Sequence, residues 1–418
     1  MKKNKSKIFY GWYIVIAGTL GMALSSGINY HGFGNLFLPL SKEFGWSRTR
    51  ISTVFSLARL ENGILGPIDG YLIDKFGPRI VILVGVPIMS VGYILLSKVD
   101  SFLSFSLVYI LGVTVGSGTL HTPIQTAVAN WFNKKRGLAF GVMWSGVGIG
   151  GLLVPVYGWL IQSYGWRDTS IIIGFVILLI GIPCGIVMRH NPYQYGDYPD
   201  GMKSVNETEK DARHHDEESF TVKEALSSSS FWLLTMATGL RILVTSGVSL
   251  HLVPFFVDLG ISPVSAAAFA GSVGIISIPG RFGLSAIGDY MNKRYILVIC
   301  MFCLSLGVFF LSIANSMTGV ILALVLYSSS QGGSAVIPNS LMADYFGTKY
   351  YGTIMGFRSV LVTFGVIAGP IISGATFDNY GNYKLAFMFF DADESVSYTH
   401  LRAHETDSYL VCRVLLEK

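Results

Sequence analysis

Gly70-Tyr71-Leu72-Ile73-Asp74-Lys75-Phe76-Gly77-Pro78-Arg79 recurs, worn down, 215 residues later as Ser285-Ala286-Ile287-Gly288-Asp289-Tyr290-Met291-Asn292-Lys293-Arg294. The aspartate and the terminal arginine keep their places, while Ser285 stands where the leading glycine stood. The same shift carries Pro39 to Pro254, Gly45 to Gly260, Ser47 to Ser262 and Pro123 to Pro338. It carries Gly137 to Gly352, Gly141 to Gly356 and Pro155 to Pro370. A register held over so long a run is not composition noise, so the second half reads as a copy of the first.

Both copies are strongly apolar. The 418 residues are 51% hydrophobic and only 13% charged, with a mean hydropathy of +0.54. Soluble domains carry about 25% charge, so this chain's solvent is mostly lipid. The 48 glycines suit helices that pack backbone to backbone in a bilayer. Parallel duplicated halves of spanning segments are a signature of transporter architecture. The net charge of +5 sits in short loops, which reads as topology rather than nucleic-acid binding. Cys300 and Cys303 form a C-x-x-C inside an apolar run with no neighbouring ligands, which reads as packing rather than metal or redox chemistry. No nucleophile–base grouping or nucleotide loop is present, so an enzyme is not expected, and neither is a cofactor. Gly146, Gly148, Gly150 and Gly151 read as close helix packing.

A span needs about 20 apolar residues. Eleven are expected, at 10–39, 49–73, 80–97, 102–130, 137–163, 169–189, 230–257, 264–288, 295–313, 318–344 and 352–378. The fold class is therefore an all-α polytopic membrane protein of two pseudo-symmetric six-helix bundles. Residues 1–189 form the first bundle and 190–228 a polar cytoplasmic linker. Residues 229–390 form the second bundle, with five spans and the start of a sixth. Basic residues cluster on one side of the alternating loops, at Lys2, Lys3, Lys5 and Lys7, then Lys75 and Arg79, then Lys134, Lys135 and Arg136, then Lys293 and Arg294. That places the N-terminus in the cytosol and the protein in the plasma (inner) membrane. The 215-residue shift calls for a twelfth span from about Lys384, but charged residues replace it after Phe390. Residues 391–418 resemble translated sequencing adapter and are expected to be non-native.

Gly70, Asp74, Lys75, Gly77 and Arg79 fit G-x-x-x-D-[RK]-x-G-x-[RK] between two spans. This resembles the signature loop of the major facilitator superfamily. Asp74 is expected to accept from helix N-terminal amides and from a nearby arginine or lysine, clamping the cytoplasmic ends of two helices. Asp289 and Arg294 are the matching clamp residues of the second copy. A narrower resemblance rests on Tyr10-Gly11-Trp12, Arg59-Leu60-Glu61-Asn62-Gly63 with Gly66-Pro67, Asn130-Trp131-Phe132 with Lys135-Arg136-Gly137, and His251-Leu252-Val253-Pro254. These look like the oxalate/formate antiporter and monocarboxylate transporter branch. The resemblance implies small carboxylate substrates.

Ionisable residues present in one copy only need a reason of their own. Arg281 stands opposite Gly66 in the repeat and lies deep in the eighth span. A guanidinium there costs at least about 2.5–3.5 kcal/mol on the insertion scale, so it must face the interior. The resemblance places an eighth-span arginine on the substrate carboxylate, and Arg281 matches it; an ion pair with another helix's acid is the alternative. His251 is expected to donate to substrate or to carry the coupled proton, against a packing role. Glu61 is a second proton carrier, against an interhelical salt bridge. Arg241 rivals Arg281 for the anion. Thr119, His121 and Gln331 are further substrate-binding candidates. The expected function is proton-coupled transport of small monocarboxylates of the lactate or pyruvate type, by alternating access. The alternatives are oxalate/formate-type antiport and, further off, a carboxylate-binding membrane sensor. The expected partners are the carboxylate anion, protons and the lipid bilayer, with no nucleic acid.

Overall fold

The computed structural model describes residues 9–30, 32–46, 48–201, 219–260, 263–314, 317–380, 383 and 385–389. Among them there are helices and turns and no strand. The chain divides into two units. Unit 1 holds Met1–Val222 together with Met342–Ser359, and unit 2 holds Lys223–Leu341 and Val360–Lys418.

Unit 1 begins with α1 (Tyr10–Ser25), which continues through a π turn (Ser26–Tyr30) and a 3-10 turn (Gly32–Leu36) into α2 (Phe37–Phe44). Then follow α3 (Arg48–Phe76), α4 (Pro78–Leu96), α5 (Phe102–Leu107), a π turn (Val108–Thr114), α6 (Val115–Gly118) and α7 (Thr122–Trp131). Its last long helices are α8 (Arg136–Gly150) and α9 (Leu153–Val187). Local chemistry sets the boundaries. Gly77 takes φ 79 and Pro78 opens α4 as its first residue, where a missing N–H costs nothing. Ser101 and Ser104 cap α5 reciprocally, satisfying two orphan donors. Helix α1 lies along α8, and α4 along α9.

After α10 (Val222–Ser227), unit 2 contains α11 (Ser229–Asp258) and α12 (Pro263–Pro279). Helix α12 winds through a π turn (Gly280–Leu284) into α13 (Ser285–Ile287). Then come α14 (Lys293–Ile313), α15 (Met317–Phe346) and α16 (Tyr351–Tyr380). Its core joins Val244, Val248 and Phe256 of α11 to Leu304 and Val308 of α14 and Tyr327 of α15. The tail, 391–418, lies outside the described residues.

Nine helical stretches among the described residues are long and apolar enough to cross a membrane, against eleven spans expected. One of the nine, Arg136–Val187, is 52 residues long. Unbroken it would reach about 78 Å at 1.5 Å per residue, more than twice a hydrocarbon core of about 30 Å. It reverses at Gly165, whose φ of 77 and ψ of 162 are not helical, so it makes two crossings. Trp166 and Arg167, just past the bend, grip Glu43 at 2.6 and 2.7 Å. The eleventh is α3, 29 residues long and less apolar than the rest because it carries Arg59, Glu61 and Asp69. Leu179 is 76% exposed and Leu103 68%, which suits a surface wetted by acyl chains.

In unit 1, α3 and the start of α16 pack backbone to backbone. Gly66 and Gly70 are four apart on α3, and Gly352 and Gly356 are four apart on α16. A Cβ on Gly70 would fall 2.6 Å from Thr353 Cα, and one on Gly66 would fall 2.8 Å from Gly356 O. Two small-xxx-small faces therefore cross antiparallel with their backbones touching.

Candidate functional site

The first cluster grows from that crossing. The close approach of Gly70 brings Asp74, one turn further along α3, against the first amides of α16. Asp74 Oδ1 accepts from Gly352 N–H at 2.9 Å. Its Oδ2 accepts from Thr353 N–H at 2.8 Å and from Thr353 Oγ1 at 2.6 Å. These are orphan donors at a positive helix end, and a carboxylate satisfies both needs. Among the described residues no lysine or arginine forms an ion pair with Asp74. Lys75 Nζ lies over the Tyr71 and Phe76 rings at 5.5 and 5.4 Å, and Arg79 is exposed at the start of α4. Of the two kinds of donor expected for Asp74, the helix amides are in place. Amides at 2.8–2.9 Å supply what a lysine would have supplied.

In the second copy, Lys293 Nζ lies 4.0 Å from Asp289 Oδ1 and donates to Ser340 Oγ at 2.8 Å. Asn292 accepts from Arg294 N–H at 3.0 Å and caps α14. Sequence reasoning missed another polar contact in unit 1. Arg136, read as a loop charge, is buried and pairs with Asp344. A run of three basic residues does not reveal which one turns inward.

Unit 2 holds Arg281, Arg241, His251 and Gln331. Arg281 sits in the π turn, the kind of winding fault that recurs at functional sites. A Cβ on Gly332 of α15 would fall 2.8 Å from Arg281 N, so α15 presses on the backbone that carries this guanidinium. Arg241, on α11, is buried and near enough to Arg281 for their charges to repel. His251 is seated on both ring nitrogens, with Nδ1 3.2 Å from Tyr383 Oη and Nε2 3.2 Å from Pro370 O. A carbonyl can only accept, so Nε2 carries the hydrogen and Nδ1 accepts from the tyrosine. Gln331 is partly buried on α15.

Unit 1 holds His121 and Thr119. His121 Nε2 lies 3.2 Å from Ser25 Oγ, in the break between α6 and α7. The Thr119 hydroxyl donates to Gly116 O at 2.6 Å, and the threonine packs on Gly85 of α4. Beside them runs a chain that sequence reasoning did not assemble. Tyr109 Oη donates to Asn29 Oδ1 at 2.8 Å, and Asn29 Nδ2 donates to Ser117 Oγ at 2.7 Å. The Arg59 charge reaches both Tyr109 and His121. Asn29 and Tyr109 lie in the two π turns of this unit. Glu61 lies on α3, with its side chain outside the described residues. Arg281 and His121 fall in different units.

Chemically, each unit offers guanidinium and neutral hydrogen-bonding groups set in apolar helices. That suits an anion bound and released, not one transformed. Among the described residues no three His, Cys, Asp or Glu side chains converge as metal ligands.

Comparison with known proteins gives a family and a fold. The family model described as Major Facilitator Superfamily matches residues 19–370. Monocarboxylate transporter 13 of Bos taurus is 24% identical over 384 residues, covering 91% of this chain and 85% of its own length. The oxalate:formate antiporter of Oxalobacter formigenes is 27% identical over 397 residues, covering 90% and 87%. Among solved structures, the human organic anion transporter MFSD10 (TETRAN) superposes with a TM-score of 0.72 at 15% identity, covering 94% of this chain and 99% of that one. The proton:xylose symporter XylE superposes at 0.77 with 14% identity, covering 94% and 95%. At such identities the structures speak for the fold alone.

Proposed function

The chain belongs to the major facilitator superfamily, a multi-pass membrane transporter rather than an enzyme, and on that premise we propose that it carries small monocarboxylates together with a proton. The observation that carries this reading is Arg281. It is the eighth-span cation expected from the sequence, it sits in a π turn, and α15 braces its backbone. A guanidinium fork fits one carboxylate with two parallel hydrogen bonds. The names of the relatives, monocarboxylate transporters and an oxalate:formate antiporter, point to the same ligand class.

In this mechanism Arg281 captures the anion while the carrier is open to one side. A proton on His251, on Glu61 or on the substrate itself offsets the added charge, and the carrier then reorients. Thr119, His121, Gln331 and Arg241 remain candidates for the rest of the substrate. The Asp74 cap at the start of α16, with Gly70, Lys75, Gly77 and Arg79 around it, is the cytoplasmic clamp that opens in the cycle. Asp289 and Arg294 serve the second copy in the same way. We place the two six-helix bundles at 1–189 and 229–390 around the linker 190–228. The N-terminus is cytosolic and the membrane is the plasma (inner) membrane.

One observation favours a second reading. Arg241 is buried in the same unit as Arg281, and a second guanidinium in that unit suits a dicarboxylate, as an oxalate/formate-type exchanger would need. Counterflow in proteoliposomes separates the two readings, using labelled lactate, pyruvate, oxalate and formate with a pH gradient imposed or collapsed. Uptake driven by inward proton flow alone supports symport. Uptake that needs internal counter-substrate and ignores the gradient replaces symport with exchange.

A further inference from the structure

Helix α3 carries an acid that no contact accounts for. Asp69 lies roughly 10 Å along the axis from the end of α3 at Phe76, at 1.5 Å per residue, inside the span expected at 49–73. At about 100° per residue it shares one stripe with Ile51, Ala58, Leu65 and Ile73. Ile51, Ala58 and Ile73 are 0, 4 and 0% exposed. The outer face of the helix is marked instead by Ile64, Ile68 and Tyr71, at 66, 54 and 53% exposure. Asp69 therefore belongs to the face turned into unit 1, and it is half-buried there.

Past its outer end at α2, helix α3 packs on α4, on the π turn Val108–Thr114, on α6 and on α7, and through its glycines on the start of α16. The titratable groups on these elements are Arg79 and Tyr93 of α4, Tyr109 of the π turn, His121 at the start of α7, and Tyr351 and Arg358 of α16. Neither they nor any other described residue makes a hydrogen bond or an ion pair with Asp69. Other acids at the helix ends are engaged. Asp74 accepts three hydrogen bonds, Asp289 lies against Lys293, and Asp344 pairs with Arg136. A carboxylate in a membrane helix is costly, and such acids are kept where their charge serves an ion pathway. A proton carrier must also hold its proton in one state and lose it in another, so it needs an atom that no fixed partner occupies. His251 does not offer one, because Pro370 O holds Nε2 and Tyr383 Oη holds Nδ1. Asp69 does. It lies beside the glycine crossing, about 80° around α3 from the line of Gly66 and Gly70.

We propose that Asp69 is the residue on which the coupled proton rides. Its carboxylate takes one proton from water as the carrier binds one carboxylate anion, so the added charges sum to zero. When α16 lifts from Gly66 and Gly70, the flank that holds Asp69 opens to cytoplasmic water. The O–H bond breaks there, the proton passes to water, and the anion leaves on the same side. The proposal rests on the proton-symport reading above and not on which carboxylate is carried.

Proteoliposomes holding the full-length protein test it, with labelled lactate and pyruvate as probes. The parent should accumulate label when the medium is more acidic than the lumen. Asp69→Asn should lose that accumulation about 5- to 150-fold, yet exchange external label for internal unlabelled acid at the parent's rate when the two pH values are equal. Asp69→Glu keeps an acid at the site and should retain both activities. Accumulation by Asp69→Asn equal to the parent's removes Asp69 alone. Loss of exchange in the Asn and Glu variants alike makes the residue one of packing or binding, and the proposal falls. A parent that exchanges but ignores the gradient removes the symport reading, and the role of Asp69 with it. A second measurement uses the unmutated protein without substrate and carries the test should Asp69→Asn fail to fold. Dicyclohexylcarbodiimide reacts with protonated carboxyl groups in apolar surroundings. Peptide mass spectrometry should find it on Asp69, forming more slowly as the pH rises. No adduct there, or one whose rate ignores pH, overturns the proposal. A pH-dependent adduct in a protein that moves neither probe overturns the substrate reading alone.

Discussion

Replacing Gly70 by alanine should loosen the crossing of α3 and α16 by a calculable amount. The new methyl carbon would lie 2.6 Å from Thr353 Cα, where carbon atoms normally rest about 3.5–4.0 Å apart. Its neighbours are backbone on a facing helix and cannot swing aside, so α3 and the start of α16 must separate by about 1 Å. Overpacking of this kind costs about 1–3 kcal/mol. Asp74, one turn away, then reaches its two amides and the Thr353 hydroxyl at stretched distances. The docked population of 342–359 should fall roughly 5- to 150-fold. Ala343 is buried, so an Ala343→Cys variant of the full-length protein reads this as faster labelling by a water-soluble maleimide. Gly356→Ala, on the opposite face of the same crossing, should do the same. Ser285 occupies the matching position in the second copy and already carries a side chain, so Ser285→Ala should change nothing. Labelling within twofold of the parent for both glycine variants would refute the close-approach account.

Arg281→Lys should insert and fold normally but lose the bidentate fork. A charged hydrogen bond is worth about 1.5–3 kcal/mol, so uptake at limiting substrate should fall about tenfold to more than a hundredfold; unaltered kinetics would remove Arg281 from the site. Tyr383→Phe deletes one partner of His251 while leaving the Pro370 carbonyl in place. It should cost about 1 kcal/mol and lower the melting temperature by about 2 °C; an unchanged melting temperature would mean that the hydroxyl does not help seat His251. Trp131 Nε1 and Asn130 Nδ2 dock the segment after α9 by donating to the Arg189 and His190 carbonyls. Burial holds the His190 imidazole below the ordinary histidine range, so the undocked segment binds protons more readily than the docked one. Docking is then fully present above about pH 6.5 and weakens as pH falls through it. Trypsin cleavage after Arg189 should quicken on acidification relative to a His190→Gln control; the same ratio of rates at pH 5.5 and 7.5 in both proteins would contradict this.

The repeat made the spans legible because lipid imposes one length and one hydropathy on every crossing. It also made the Asp74 loop legible, since a glycine-bounded aspartate between two spans has few other uses. Its partner was not legible. Amides carry no side-chain signature, so the first turn of α16 left no mark at Gly352 and Thr353. Arg136 was hidden for the opposite reason, because its two basic neighbours share its signal and only the fold turns one of the three inward. His251 stood out by type, yet its environment depends on Tyr383, 132 residues away. The Tyr109–Asn29–Ser117 chain was invisible because a buried tyrosine looks like any core aromatic until its hydroxyl finds a partner.

The π turn at Gly280–Leu284 matters for how a duplicated chain loses its symmetry. The 215-residue shift holds on both sides of it, from Ser47 and Ser262 to Asp74 and Asp289, so nothing has been inserted or deleted. The first copy nevertheless threads the same number of residues through an unbroken α3. A turn closed on i→i+5 in place of i→i+4 takes up one more residue, so everything beyond it is rotated by on the order of 100° relative to the sister helix. Divergence between the halves is therefore written in winding as well as in letters. An alignment of the two halves would pair Arg281 with Gly66 and treat them as alternatives at one address. The winding differs at the address itself, since Arg281 lies in a π turn and Gly66 in an unbroken helix.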